Sequence, residues 1–375
     1  MSKILAPIGA PHTHGGNSVQ RTMLLVMLAL LPATLFNLYL FGWPALNMFV
    51  LTVGFSLASE WLALWAAGRP ARPALLDGSA VLTAWLVAAA TPPWAPWWIA
   101  VLGAFVSIVV GKQVFGGLGQ NVFNPAMVAR VALLISFPVQ MTAFTRPAPL
   151  FAEGSPGFLD GLAITFLGRY DALPEGIDAF SAATPLGHLK TAFTQDMTVS
   201  QALPGHYEPV ASLLGHMPGS FGETSAVLIL AGGLFLIWKR IISWHIPVSM
   251  LGSVFLLALI SSLLDAEHYP GPIYHLSTGA LMLGAFFIAT DLVTSPVTKL
   301  GQIIFGVGIG VLVFIIRTFT AYPEGVGFAV LLMNAMTPLI DHYIRPRVYG
   351  RTRSGDPLEP PKDEAPDTAK AEKTA

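Results

Sequence analysis

Asp178, Ser181 and Thr184 stand three residues apart in Asp178-Ala-Phe-Ser-Ala-Ala-Thr184-Pro-Leu, inside the one long polar segment of an otherwise apolar chain. Proline follows Thr184 and biases it to an extended backbone, which presents its hydroxyl. The small neighbours leave space for a bulky adduct on that hydroxyl. Asp178 is placed to help a modifying enzyme, or that enzyme's metal ion, activate it. The plain reading of the same residues is an ordinary Ser/Ala/Thr turn.

Gly219-Ser220-Phe-Gly-Glu223-Thr224-Ser is the second signal. Ser220 and Glu223 have capping-box spacing at the start of an apolar run. A helix N-terminus there would offer free backbone N–H groups and partial positive charge to an anion. Glu60, Arg130, Asp291 and Asp341 fall inside or at the ends of apolar runs. Charges at membrane depth are costly and are usually paired or functional. They read either as structural ion pairs, Arg130 with an acid for instance, or as a cation path along Glu60, Asp291 and Asp341. Gly116-Gly-Leu-Gly-Gln-Asn121 lacks a preceding strand and a Lys-Ser/Thr ending, so it is no nucleotide fingerprint. No His-x-x-x-His or Glu-x-x-His pair lies on a helix face, so no metal site is proposed.

These residues need a frame, and composition says which kind. The chain has 375 residues, 54% hydrophobic and 11% charged. Mean hydropathy is +0.64. Soluble domains carry about 25% charged residues. So sparse a charge cannot cover a surface in water, and the partner implied is a lipid bilayer, not a nucleic acid. The absence of cysteine excludes disulfides and thiolate-held clusters or zinc from this chain. The first 22 residues are polar and show no removable leader.

A spanning helix needs about 20 apolar residues. Runs at 23–41, 45–66, 79–91, 97–111, 124–143, 224–238, 244–264, 277–293, 301–319 and 326–343 approach that length. The expected fold is an all-α polytopic membrane bundle of about ten transmembrane helices. The excess of Lys and Arg on cytoplasmic loops orients it. With Lys3 and Arg21 inside, the cytoplasmic connections carry Arg69, Arg72, Lys112, Lys239, Arg240 and Lys299, and the C-terminal segment carries Arg345, Arg347, Arg351 and Arg353. The short outer connections carry neither Lys nor Arg, and only Arg317 falls near the outer face. Both termini are then cytoplasmic and Thr184 lies outside, in the periplasm of a Gram-negative inner membrane. Trp43, Trp94, Trp97 and Trp98 read as interfacial anchors.

Ser79-Ala-Val-Leu-Thr in the third run parallels Ser277-Thr-Gly-Ala-Leu in the eighth, and Asn124-Pro-Ala-Met parallels Asn334-Ala-Met-Thr-Pro in the tenth. Five spans separate each pair, which makes two inverted five-helix repeats, a plan found in many transporters. Shared Ala/Thr/Pro composition is the plain alternative. The chain divides into 1–22, a cytoplasmic N-terminal segment; 23–143, the first repeat; 144–221, the periplasmic segment; 222–345, the second repeat; and 346–375, a disordered cytoplasmic tail.

Several stretches together carry a resemblance: Ala10-Pro-His-Thr-His14, Gly111-Lys-Gln-Val-Phe-Gly-Gly-Leu-Gly-Gln-Asn-Val-Phe-Asn-Pro-Ala126, Ile135-Ser-Phe-Pro-Val-Gln140, Ser181-Ala-Ala-Thr-Pro-Leu186 and Gly222-Glu-Thr-Ser225. Over roughly residues 8–345 the chain resembles the D component of the Rnf ion-translocating oxidoreductase complex. The homologous B component of the sodium-pumping NADH:quinone reductase is next. The resemblance implies FMN joined through its phosphate to Thr184 by a periplasmic flavin transferase, with Ser181 and Asp178 at the other motif positions. Ala182 stands where glycine is common, and Ala179 follows the acid. Ser220, Glu223 and Thr224 would then face the flavin phosphate. It also implies an NADH–ferredoxin type redox translocase moving Na⁺ or H⁺, with the A, B, C, E and G components of the Rnf complex as partners. A noncovalent riboflavin between the helices is a further expectation. The rival reading is a stand-alone transporter or channel without flavin.

Overall fold

The computed structural model describes residues 18–152, 154–169, 183–346 and 350. Asp178 and Ser181 lie outside the described residues, as do His12, His14, Arg347, Arg351, Arg353 and the tail. The regular structure of the described residues is helical, and the fold is an all-α polytopic membrane bundle.

The first helix, α1 (Val19–Ala66), opens on Ser18, whose hydroxyl accepts from the Arg21 N–H at 3.1 Å. Its 48 residues hold the expected runs 23–41 and 45–66 as two arms, each close to the length a hydrocarbon core of about 30 Å requires. The arms lie side by side, since Thr34 in the first and Phe49 in the second both meet Trp85. They part at Gly42, which holds φ +71, a conformation that suits glycine. Pro44 removes a further N–H there. The carbonyls freed at this kink are taken up from outside the helix. Leu150 N–H donates to Tyr39 O at 2.8 Å, Ala148 N–H to Leu40 O at 2.9 Å, and the Trp94 indole to Phe41 O at 2.9 Å. The kink is therefore also where the stretch 148–150 is fastened.

Next come α2 (Ser79–Ala89), α3 (Trp97–Phe105, continued by a π-helical stretch Val106–Gln113) and α4 (Pro125–Ser136). Asn124 caps α4, its side chain accepting from Ala126 and Met127. The expected run 124–143 stops at Ser136, because Pro138 starts a separate turn, Pro138–Thr142. The polar segment that follows holds α5 (Pro185–Phe193). Beyond it lie α6 (Ala226–Trp238), α7 (His245–Leu264), α8 (Lys299–Phe319) and α9 (Val326–Tyr343). The expected run 277–293 is not one helix. It breaks into Pro272–Ser277, Leu281–Leu283 and a π-helical Gly284–Ile288, with Gly279 at φ +69 between the first two.

By length and composition, α1, α7 and α8 can cross a membrane, while α2, α3 with its extension, α4 and α6 are shorter apolar helices. The largest core cluster includes Met250, Leu281, Phe305, Ile309, Val313 and Val330. Small residues bring α7 and α8 together: a Cβ at Gly306 or Gly310 would collide with Ser249 or Ser253 and with the Ile246 or Met250 carbonyl. Leu263, Leu264 and Trp238 are exposed, as lipid-facing side chains would be. Asn124 N–H donates to the Asn334 side chain at 3.1 Å, so the two asparagines matched in the sequence meet in the core.

Candidate functional site

Thr184 has φ −64 and ψ 157, the extended backbone expected before Pro185. It is the N-cap of α5: its hydroxyl accepts from Gly187 N–H at 3.1 Å. The first-turn amides of a helix have no intrahelical acceptors. The Thr184 Oγ1 thus sits at the positive end of α5. It also lies on the wall of a 190 Å³ cavity. The cavity is lined by Arg130 from α4, Gly219 and Glu223 from the loop before α6, and Glu324 from the loop before α9. Leu134, Met141, Phe144, Met217 and Tyr322 supply its apolar wall.

Two ion pairs frame this cavity, the outer one in the orientation expected from the loop charges. Arg130 donates to the Ala90 carbonyl and lies 3.8 Å from Glu223. Glu324 pairs with Arg317 at 3.0 Å and accepts from Ala280 N–H at 2.8 Å. Arg317 also donates to the carbonyls of His275 and Thr278. Glu324 accepts from Gly325 and Val326 N–H as well, and so ties the start of α9 to the site.

The loop carrying Ser220 and Glu223 does not open α6 as a capping box. Phe221 N–H donates to Thr91 O at 3.0 Å and Gly222 N–H to Ala89 O at 2.7 Å, which pins the loop to the end of α2. Ser225 is the N-cap instead, accepting from Leu228 N–H. Glu223 lines the cavity. Ser220 is fully buried with its hydroxyl unpartnered, and Thr224 turns away to donate to Asn37.

The other charges gather at the opposite end. Glu60 is fully buried and accepts from Lys112 Nζ at 2.6 Å and Gln113 Nε2 at 2.8 Å. Lys112 also donates to Ser79 Oγ at 2.6 Å. Asp291 accepts from Thr294 Oγ1 at 3.2 Å, from Val293 N–H at 3.2 Å and, weakly, from Asn124 Nδ2 at 3.4 Å. Lys112, Ser79, Asn121, Asn124 and Asp291 line a cavity of 110 Å³ with Thr22 and Phe286, the inner one in that expected orientation. Asp341 stands apart and accepts from Val297 N–H at 3.2 Å.

Of the residues singled out in the sequence, Thr184, Glu223 and Arg130 come together on one cavity wall, while Glu324 and Lys112 join the two cavities without having been singled out. The signal for Glu324 is an acid just before an apolar run, a place where carboxylates cap helices. Lys112 reads as a loop charge in the sequence, because the π-helical extension that buries it is not a feature of hydrophobic periodicity.

Residues 8–350 match the NQR2, RnfD, RnfE family. The D component of the ion-translocating oxidoreductase complex from Stutzerimonas stutzeri is 54% identical over 342 residues, 91% of this chain and 95% of that one. The corresponding component from Halorhodospira halophila is 50% identical over 358 residues, 96% and 98% of the two chains. That from Rhodobacter capsulatus is 50% identical over 310 residues, 83% and 85%.

Proposed function

The chain belongs to the NQR2, RnfD, RnfE family, and from that premise we propose that it is the flavin-bearing membrane subunit of an Rnf-type redox-driven ion translocase. Thr184 carries FMN as a phosphoester in the outer compartment. The observation that carries this reading is the position of the Thr184 hydroxyl, at once a helix N-cap and part of a cavity wall. The residues present fit the group. A phosphoester on Oγ1 would sit against the first-turn amides of α5, with the Arg130 guanidinium on the same cavity wall. The apolar side would take a flat ring. Bound there, the flavin would supply one- and two-electron chemistry. The chain's own residues hold the phosphate, seat the ring and exclude water.

The partners in this reading are the A, B, C, E and G components of the Rnf complex and a periplasmic flavin transferase, with electrons passing as in an NADH–ferredoxin oxidoreductase. The membrane is the bacterial inner membrane, with both termini cytoplasmic. The inverted repeat supplies a bundle whose two states flavin reduction could bias, coupling electrons to Na⁺ or H⁺. The meeting of Asn124 and Asn334 supports that symmetry. Glu60, Asp291 and Asp341 are the proposed ion path, and Arg130 is its outer counter-charge. The inner cavity between α2, α4 and α6 is the place this reading gives to a noncovalent riboflavin.

A denaturing gel viewed under ultraviolet light tests the central step. The wild-type band, made together with its transferase, should fluoresce, and Thr184→Ala should be dark. A dark wild-type band would favour the flavin-free transporter. Intact NADH–ferredoxin electron flow in Thr184→Ala would reduce the chain to a scaffold.

A further inference from the structure

The short helix Phe158–Leu167, whose second half is π-helical, is apolar on every side. Its sequence, Phe-Leu-Asp-Gly-Leu-Ala-Ile-Thr-Phe-Leu, holds one charge, Asp160, and that carboxylate accepts from Gly157 N–H at 3.1 Å. One face, Gly161, Ile164 and Thr165, is buried against the kink of α1. A Cβ at Gly161 would fall 2.7 Å from Trp43 Cβ. The Phe158 ring meets Trp43 edge-on at 5.2 Å, and Asn47 Nδ2 donates to Thr165 Oγ1 at 3.3 Å. The opposite face has no such cover: Leu159 is 76% and Leu167 67% exposed, and Phe158 and Phe166 are exposed too. A helix that is apolar all round belongs in a protein core or in hydrocarbon. Ten residues cover about 15 Å, half the thickness of a hydrocarbon core, so this one cannot span.

Two observations say what covers the open face. The helix runs between two interfacial tryptophans: Phe158 lies on Trp43, and Phe166 stacks at 6.4 Å on Trp97, the partly exposed first residue of α3. Tryptophan gathers where hydrocarbon meets headgroups. Asn47 lies one turn into the second arm of α1, so the contact reaches into the span and not away from it. The chain leading to the helix is fastened beside a lipid-facing stripe as well. Leu150 N–H donates to Tyr39 O, and Leu31, Leu35 and Tyr39, four residues apart on the first arm, are all exposed.

We propose that Phe158–Leu167 lies in the bilayer itself, with Leu159, Phe166 and Leu167 among the acyl chains of one leaflet. That leaflet is the one at the Thr184 end of the bundle. The kink carbonyl of Phe41 takes the Trp94 indole, and Trp94 follows the end of α2, to which the loop carrying Glu223 is pinned. Arg169, exposed two residues past the helix, is placed among headgroup phosphates. The segment 144–221 thus enters lipid before it enters water. The proposal is independent of any flavin on Thr184.

The chain has no cysteine, so single-cysteine variants of the full chain report one position each. Leu159→Cys and Leu167→Cys, labelled with a nitroxide in phospholipid nanodiscs, are read by collision with oxygen, which concentrates in hydrocarbon, and with a nickel chelate, which stays in water. Leu256→Cys on the exposed side of α7 sets the lipid value, and Gln195→Cys in the exposed turn after α5 sets the water value. Both test positions should match Leu256, with an oxygen-to-nickel ratio several-fold above that of Gln195. A ratio like that of Gln195, or shielding from both reagents, overturns the proposal. A partner protein is the rival cover, and the assembled complex decides it. Leu159→p-benzoylphenylalanine, irradiated there, should yield a phospholipid adduct by mass, whereas an adduct with another subunit overturns the proposal.

Discussion

Arg130 and Glu223 stand 3.8 Å apart at the outer cavity, while Lys112 and Glu60 close to 2.6 Å at the inner one. Both are buried pairs, yet they leave different things behind. At the outer cavity Arg130 is not fully engaged by its acid, and a helix N-terminus adds partial positive charge. That wall suits an anion. At the inner cavity Lys112 is saturated by Glu60 and Ser79, and Asp291 remains with no basic hydrogen-bond partner among the described residues. That wall suits a cation. A redox anchor at one end and an ion-binding end at the other are what the proposed coupling needs, and the same kind of ion pair makes both.

The largest effect should come from Thr184. Thr184→Ala removes the ester acceptor, so flavin fluorescence of the denatured band should vanish. The fold should lose only an N-cap, about 1 kcal/mol. Thr184→Ser keeps the hydroxyl and the cap and should stay labelled at or near the wild-type level. Loss of the folded chain in Thr184→Ala would mean that the cap matters more than the adduct.

The pairs themselves come next. Lys112→Met strands the Glu60 carboxylate and should destabilise the detergent-solubilised chain by about 3–5 kcal/mol, with Lys112→Met/Glu60→Gln recovering most of it. The same cycle on Arg130→Met and Glu223→Gln should give a coupling energy several-fold smaller, because that pair is longer. Equal coupling energies in chemical denaturation would erase the contrast between the two cavities.

Smaller effects should follow at the acids. Asp291→Asn and Asp341→Ala should each lower cation-dependent electron transfer by roughly tenfold or less while flavin content stays normal; Glu60→Ala should do the same in the chain that folds, and also strands Lys112, with a stability loss of the size given for Lys112→Met. Asp341 should give the weakest effect, since it is bonded to Val297 N–H away from the inner cavity. Activity unchanged in all three would remove the ion path.

The smallest effect concerns pH. His275 is held neutral by burial, with a pKa near 3 against 6.5 in an unfolded chain. The unfolded state takes up a proton below about pH 6.5 and the native state does not. Stability should therefore fall as pH drops from 6.5 towards 3. Thermal unfolding against pH reads it, and His275→Gln should flatten that slope.

Much of the frame is legible because apolar runs and loop charges are direct consequences of the bilayer. The runs at 244–264, 301–319 and 326–343 match α7, α8 and α9 within a few residues. What escapes is local. The break at Gly279 and the stop before Pro138 depend on backbone conformations that hydrophobic runs do not encode. The capping-box reading of Ser220 and Glu223 fails because tertiary hydrogen bonds from Phe221 and Gly222 to the end of α2 win over local spacing. The extended backbone of Thr184, by contrast, follows from the proline after it, a purely local pattern. Lys112 and Glu324 emerge only once Glu60 and Arg317 are seen to need partners.

One chemical bond underlies the proposed mechanism, and intact-peptide mass spectrometry of the 170–190 segment, cut from the assembled complex, reads it directly. The peptide should be heavier than its sequence by one FMN less a water, with fragmentation placing the added mass on Thr184. A peptide of unmodified mass from the working complex would contradict the mechanism.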